Sequence, residues 1–159
     1  MFQIRPAVPA DRAQIHIIVE AAYRPWIECI GRLPGPIQDV ADGKFQRFIE
    51  DGNVTVVVDH DASGETVAGV LVLFEKSDTL LLDNAAVLPA YQGRGLGRML
   101  IQLAEQRARA KGYSNVTLYT HAKMARNRAM YLGYGYEEVR SVTEYGLDRV
   151  YFCKQVRKP

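Results

Sequence analysis

No run in this chain approaches the ~20 consecutive apolar residues that a membrane-spanning helix requires; the longest are strand-length. A membrane span is therefore not expected. Cysteine is scarce: Cys29 and Cys153 lie far apart, form no CxxC pair and sit among apolar neighbours, which predicts buried free thiols rather than a disulfide. His16, His60 and His121 fall in different predicted elements without ligand spacing, so no zinc site is expected. Excess charge is missing too, since 20 Lys and Arg against 18 Asp and Glu leave +2, too little to predict nucleic-acid binding. The tail from Lys154 to Pro159 is locally basic and reads as a solvated end. Repeats and low-complexity tracts are absent. Met1-Phe2-Gln3-Ile4-Arg5 lacks the basic-then-apolar order of a secretory leader, which makes a cytoplasmic protein the expectation.

What is present is an ordinary globular composition. With 159 residues, 48% hydrophobic and 24% charged, the chain is expected to form one domain over residues 1–159 around a single core. Phe2 to Arg5 alternates like a strand, and Asp11 is placed to N-cap a helix running through Ile15, Ile18, Val19 and Ala22. Proline and glycine then break the stretch from Tyr23 to Pro36, although its apolar residues make it more than a linker. A second helix is predicted over Gln38 to Ile49, ending at Asp51-Gly52-Asn53. Val54 to Asp59 and Val67 to Phe74 read as an antiparallel strand pair, followed by a third strand from Leu80 to Val87. Arg98 to Lys111 is a long amphipathic helix. Asn115 to Thr120 is a strand, Met124 to Leu132 a short helix, and Glu137 to Thr143 with Arg149 to Val156 a closing hairpin. The order is β-α-α-β-β-β-α-β-α-β-β.

Between the third strand of the central run and the long helix lies Gln92-Gly93-Arg94-Gly95-Leu96-Gly97. A helix beginning near Gly95 or Gly97 presents N–H groups that lack intrahelical partners, and its dipole favours an anion there. Glycine lets a ligand approach the backbone, and the guanidinium forks of Arg94 and Arg98 suit phosphate. The turn does not end in Gly-Lys-Ser/Thr as a Walker loop does, and its glycine spacing is wrong for a dinucleotide fingerprint. On spacing alone, a ligand-free strand-to-helix turn remains open.

The sequence resembles the GNAT family of N-acetyltransferases over essentially its whole length. The resemblance rests on Ala86-Val87 followed by the Gln92 to Gly97 turn, and on Tyr131-Leu132-Gly133-Tyr134-Gly135-Tyr136 downstream. It implies an α/β (α+β) fold with a single mixed, mostly antiparallel sheet flanked by helices. It implies as well that Ala86, Val87, Gln92, Gly93, Arg94, Gly95, Gly97 and Arg98 bind the pantetheine arm and pyrophosphate of acetyl-coenzyme A. Many members carry an asparagine seven residues before the tyrosine; Met124 stands there, and the nearest asparagine, Asn127, shares a helix face with Tyr131 and is assigned to binding the cofactor's thiol arm, with a helix-surface or capping role as its alternative. By the resemblance Tyr131 is the general acid for the leaving thiolate, with packing against Tyr134 or Tyr136 as its alternative. The Val87 backbone N–H would meet the thioester oxygen.

The general base is open. Leu81 and Tyr119 occupy the places where some members carry glutamate, which leaves Asp83 and His121 as candidates and a water chain as a substitute. The resemblance directs acceptor recognition to Tyr23 to Pro36 and to Arg140 to Tyr151. There Tyr23, Trp26, Glu28 and Arg32 offer an aromatic wall and one charge of each sign, or simply close the core. The implied function is transfer of acetyl from acetyl-coenzyme A to a primary amine of a small molecule or peptide, without a metal. A non-catalytic acyl-coenzyme A-binding or sensory domain is the alternative. The edge strands of the last hairpin allow a homodimer.

Overall fold

The protein is described here by a computed structural model covering residues 1–156. Seven strands pair in the order β1-β2-β3-β4-β5-β7-β6: β1 Phe2–Pro6, β2 Val54–Asp61, β3 Gly64–Glu75, β4 Leu80–Val87, β5 Asn115–His121, β6 Glu137–Glu144 and β7 Leu147–Gln155. Every pair is antiparallel except β4 with β5. This is the mixed, mostly antiparallel sheet expected. The helices are α1 Arg12–Tyr23, α2 Ile27–Ile30, α3 Gly35–Ala41, α4 Lys44–Glu50, α5 Leu96–Ala110 and α6 Ala125–Gly133.

Amphipathic spacing decides which face each helix covers. Ile15, Ile18 and Val19 of α1, with Phe45 and Ile49 of α4, bury against Val56, Val58, Val70 and Val72 on one face of the sheet. On the other face Leu96, Leu100, Ile101, Ala104 and Ala108 form the stripe of α5, which packs on Val57, Leu71, Leu82 and Leu118. At the end of that core Tyr136 donates to the buried Glu105 at 3.2 Å, and Lys154 reaches the same carboxylate at 2.9 Å.

Several expectations need correction. The helix predicted over Gln38 to Ile49 is two, α3 and α4, because the chain turns at Gly43, whose φ of 71° belongs to the left-handed region. The Tyr23 to Pro36 stretch holds a short helix, α2, stopped by Gly31 at φ 81°. Asp11 does not cap α1. Its carboxylate turns back to accept from the Val8 N–H at 2.8 Å and from both Arg5 nitrogens at 2.7 and 3.0 Å. The last hairpin is tighter than read, with only Tyr145 and Gly146 between strands at φ 51° and 73°, the left-handed pair that a two-residue turn uses. Cys29 is exposed and Cys153 half-buried, so neither is the buried thiol expected. Lys154 and Val156 are not a solvated tail either: the lysine also donates to the Tyr134 carbonyl at 2.8 Å, and Val156 is buried. Arg157, Lys158 and Pro159 lie outside the described residues.

Candidate active site

The sheet opens where β4 and β5 part. They pair only from Leu80 to Leu82 against Val116 to Leu118, whereas β5 stays on β7 as far as His121. At the point of separation β4 carries an extra residue: Val72 opposes Asn84 and Leu73 opposes Leu82, which leaves Asp83 unpaired as a bulge. A bulge shifts side-chain alternation by one. Leu80 and Leu82 accordingly pack on the α5 face, while Ala86 beyond the bulge packs on the α1 face.

Backbone groups follow the same geometry. The Leu88 N–H donates to the Ala68 carbonyl at 2.8 Å, toward β3. Since N–H groups alternate along a strand, the Val87 N–H points the other way, into the gap that β5 vacates. The Val87 carbonyl on that edge accepts from Gln92 Nε2 at 3.3 Å, which anchors the following turn. An amide left over by the splay is what the thioester-oxygen role of Val87 requires.

The glycine turn leads directly into α5. Gly93 and Gly95 have φ of 81° and 82°, Gly95 is the N-cap, and beyond the adjoining backbone no heavy atom of the described residues lies within 4 Å of a Cβ built on Gly93, Gly95 or Gly97. None of the amides from Gly93 to Arg98 donates to another backbone group among the described residues. A row of free donors beside open space fits a pyrophosphate. Arg94 lies over the Tyr91 ring at 4.9 Å and Arg98 over Tyr134 at 5.9 Å, so both cations flank the turn. The Ala86 side chain, by contrast, faces the α1 core.

A cavity lies in the splay, lined among others by Tyr23, Asp83, Asn84, Tyr119, His121, Asn127 and Tyr131. Helical spacing brings Asn127 and Tyr131 of α6 to it together. Tyr131 is 7% exposed and packs on Tyr136 and Phe152 at ring separations of 6.1 and 5.7 Å. Burial, and then neighbouring Tyr134, push its phenol up to about 12. Tyr131 lines the cavity and Tyr134 does not.

Asp83 stands where that cavity meets a second, wider groove, and it lines both. Tyr119 donates to its Oδ1 at 2.7 Å. Burial raises the Asp83 carboxyl above its ordinary value, opposed by the Tyr119 bond and by Arg149. The other candidate base is differently placed: His121 Nδ1 accepts from the Lys123 N–H at 3.1 Å. Neutral His121 then carries its proton on Nε2, which leaves no free lone pair facing substrate. Burial also lowers its pKa.

The wider groove includes Arg32, Asp39, Lys44, Phe48, Phe74 and Arg149. Asp39 is pushed up to about 6 by burial first and by Asp83 second, with Lys44 Nζ 3.5 Å away. Arg149 is held by Glu144 at 3.0 Å and lies over the Tyr119 ring at 4.3 Å. Of the four acceptor residues predicted, Tyr23 reaches the cavity and Arg32 the groove, where it donates to the Gly146 carbonyl at 3.1 Å. Trp26 and Glu28 do not. The α2 turn directs Trp26 onto Ile30, Met124 and Leu147, and leaves Glu28 exposed. Sequence reading missed Asn84 and Asp39 and reached Arg149 only as part of the Arg140 to Tyr151 stretch; the polar pair Asp83-Asn84 inside an aliphatic strand was the one available signal for the first. Among the described residues no three His, Cys, Asp or Glu side chains gather as a metal site, and no helix is long and apolar enough to cross a membrane.

Comparison with known proteins agrees with this geometry. The Acetyltransferase (GNAT) family matches residues 15–136. The chain is 33% identical over 97 residues to the mycothiol acetyltransferase of Beutenbergia cavernae, covering 61% of this chain and 33% of that protein. It is 30% identical over 101 residues to the uncharacterized N-acetyltransferase YjgM of Escherichia coli, covering 62% and 59%. The chain thus spans less than two thirds of either relative. Among solved structures, PaiA N-acetyltransferase from Thermoplasma acidophilum in complex with coenzyme A has a TM-score of 0.75 at 16% identity, over 98% of this chain and 99% of that one, a likeness of fold. The matched span takes in the splay, the glycine turn and Tyr131, and the chain belongs to the Acetyltransferase (GNAT) family.

Proposed function

We propose that the chain is a single-domain N-acetyltransferase that moves an acetyl group from acetyl-coenzyme A directly to the primary amine of a small molecule or peptide. The observation that supports this reading is the splay of β4 from β5, which opens a cavity lined by Tyr131 and by Asp83, the latter on the strand that runs on through Val87 to the glycine turn with its free amides. When bound, acetyl-coenzyme A supplies an activated acyl carbon as a thioester. The Gly93 to Arg98 amides, with Arg94 and Arg98, hold its pyrophosphate. The Val87 N–H donates to the thioester oxygen as negative charge gathers there. Asp83 takes the proton released by the attacking amine, its raised pKa making it a better base than an ordinary carboxylate. Tyr131, protonated throughout the working pH range, gives its proton to the departing sulfur as the carbon–sulfur bond breaks.

The test is free-thiol release from acetyl-coenzyme A over a panel of amines, amino acids and short peptides, with the acetylated product identified by mass. Turnover that falls at least about 100-fold in Asp83→Asn supports the assignment. A protein that binds acetyl-coenzyme A yet releases no thiol with any acceptor is instead the non-catalytic acyl-coenzyme A-binding domain.

A further inference from the structure

Asn84 is 2% exposed, and its Nδ2 has no hydrogen-bond partner among the described residues. Its other end is fixed: the Tyr23 hydroxyl donates to Asn84 Oδ1 at 2.8 Å. The amide is therefore oriented, with a buried donor left over in a residue that lines the splay cavity. An unsatisfied buried donor is costly, and a ligand that supplies an acceptor relieves the cost.

The neighbouring residue gives the donor its meaning. Consecutive residues of a regular strand point to opposite faces, but the bulge at Asp83 shifts the alternation there, and both Asp83 and Asn84 line the cavity. Each is held by one tyrosine, Asp83 by Tyr119 and Asn84 by Tyr23. Their Cα atoms are about 3.8 Å apart, as in any trans peptide. A carboxylate residue and an amide residue thus line one small volume, on the side of the sheet where α1 and the α2–α3 segment close over it. The pyrophosphate turn lies at the far end of β4, so the donor is not part of that cradle.

We infer that Asp83 and Asn84 together select acceptors with a neutral carbonyl beside the amine, the α-aminoacyl amide found at a peptide N-terminus, with Asp83 taking the nitrogen and Asn84 Nδ2 the carbonyl oxygen. An alkylamine offers no oxygen to Asn84. A free amino acid offers one, but as a carboxylate next to the Asp83 charge. This inference rests on the acetyltransferase reading and deepens it by naming the acceptor class.

The experiment compares kcat/KM for alaninamide, isopropylamine and alanine in the wild type, Asn84→Ala and Tyr23→Phe. Intrinsic amine reactivity cancels in a ratio taken between variants. The alaninamide preference over isopropylamine should fall about tenfold or more in Asn84→Ala, the effect of losing one well-placed hydrogen bond. Tyr23→Phe keeps the amide but releases its orientation, and should lower the ratio by about threefold, which covers the case in which Asn84→Ala does not fold. A ratio within about twofold of wild type in every variant that folds overturns the inference. So does a wild type that prefers isopropylamine or alanine. If no amine is acetylated, the acetyltransferase reading fails by itself, and calorimetric titration of alaninamide into the coenzyme A-saturated protein decides the inference. About tenfold weaker binding in Asn84→Ala upholds it, and equal binding, or none to either protein, overturns it.

Discussion

Gly97 can be changed to alanine without straining the fold, yet the change should damage the coenzyme A site. It is the second residue of α5, its φ is not positive, and a built Cβ meets nothing within 4 Å. Alanine is a better helix former than glycine by about 0.5–1 kcal/mol, so Gly97→Ala should raise Tm by roughly 1–4 °C in a chain of this length. The Cα–Cβ bond of a helical residue leans toward the N-terminus, which here is the side where the free amides of Gly93 to Arg98 present their donors. A methyl group there holds a phosphate away from one or two charge-assisted hydrogen bonds. At about 1.5–3 kcal/mol for such a bond, coenzyme A should bind roughly 10- to 100-fold more weakly. Gly95→Ala separates the two effects. With φ at 82° it should lose about 1–2 kcal/mol of stability and bind more weakly as well. Scanning calorimetry gives the first quantity and titration with coenzyme A the second, with acetyl-pantetheine as a control that lacks the pyrophosphate. Gly97→Ala binding coenzyme A within about twofold of wild type, or losing acetyl-pantetheine to the same degree, would refute the pyrophosphate cradle.

Tyr131→Phe should lower turnover by about 100-fold while stability changes by less than ~1 kcal/mol, since no protein hydrogen bond is among the influences on its phenol; a loss of activity matched by a loss of Tm would make it a packing residue only. His121→Ala should keep turnover within about threefold and leave the acid limb of the pH profile in place, because Asp83 and not His121 carries it; disappearance of that limb would reverse the assignment. The folded chain, with the Asp39 carboxyl pushed up to about 6, holds that proton more tightly than the unfolded chain does, so stability falls as pH rises from about 4 through 6. The full effect would be about 3 kcal/mol, and partial exposure with Lys44 nearby reduces it to about 1, so Asp39→Asn should melt higher than wild type at pH 7 but not at pH 4. An equal gain at both pH values would contradict it.

The parts of this site that could be read from sequence are those set by neighbours along the chain. A strand ending at Pro89, glycines at alternating positions and a long amphipathic stripe are local, and the structure places strand, turn and α5 where they predict. Asn127 and Tyr131 share a face by helical period alone, and both reach the cavity. The errors fall where tertiary contacts decide. Asp11 resembles an N-cap in sequence, but Arg5 on β1 turns its carboxylate backward. Trp26 and Glu28 carry suitable chemistry, yet the direction of a one-turn helix sends one into packing and the other to solvent. Arg149 and Asp39 are remote from β4 in sequence, and only the pairing of β5 with β7 and the break at Gly43 bring them to the groove.

The bulge at Asp83 depends on the register of β3 against β4, which no property of β4 alone reveals. Its consequence reaches the whole site. Before it Leu80 and Leu82 face the α5 side; beyond it Ala85 and Val87 do, while Asn84 turns to Tyr23 of α1. One inserted residue therefore divides β4 into a segment that pairs with β5 and a segment that is free of it. It also separates a backbone edge, available at Val87, from side chains, available at Asp83 and Asn84. Donor recognition through main-chain amides and acceptor recognition through side chains can then share a single strand without competing for the same groups. Substituting the glycine turn should accordingly alter coenzyme A affinity and leave the preference among amines, whereas substituting Asn84 should alter that preference and leave coenzyme A affinity.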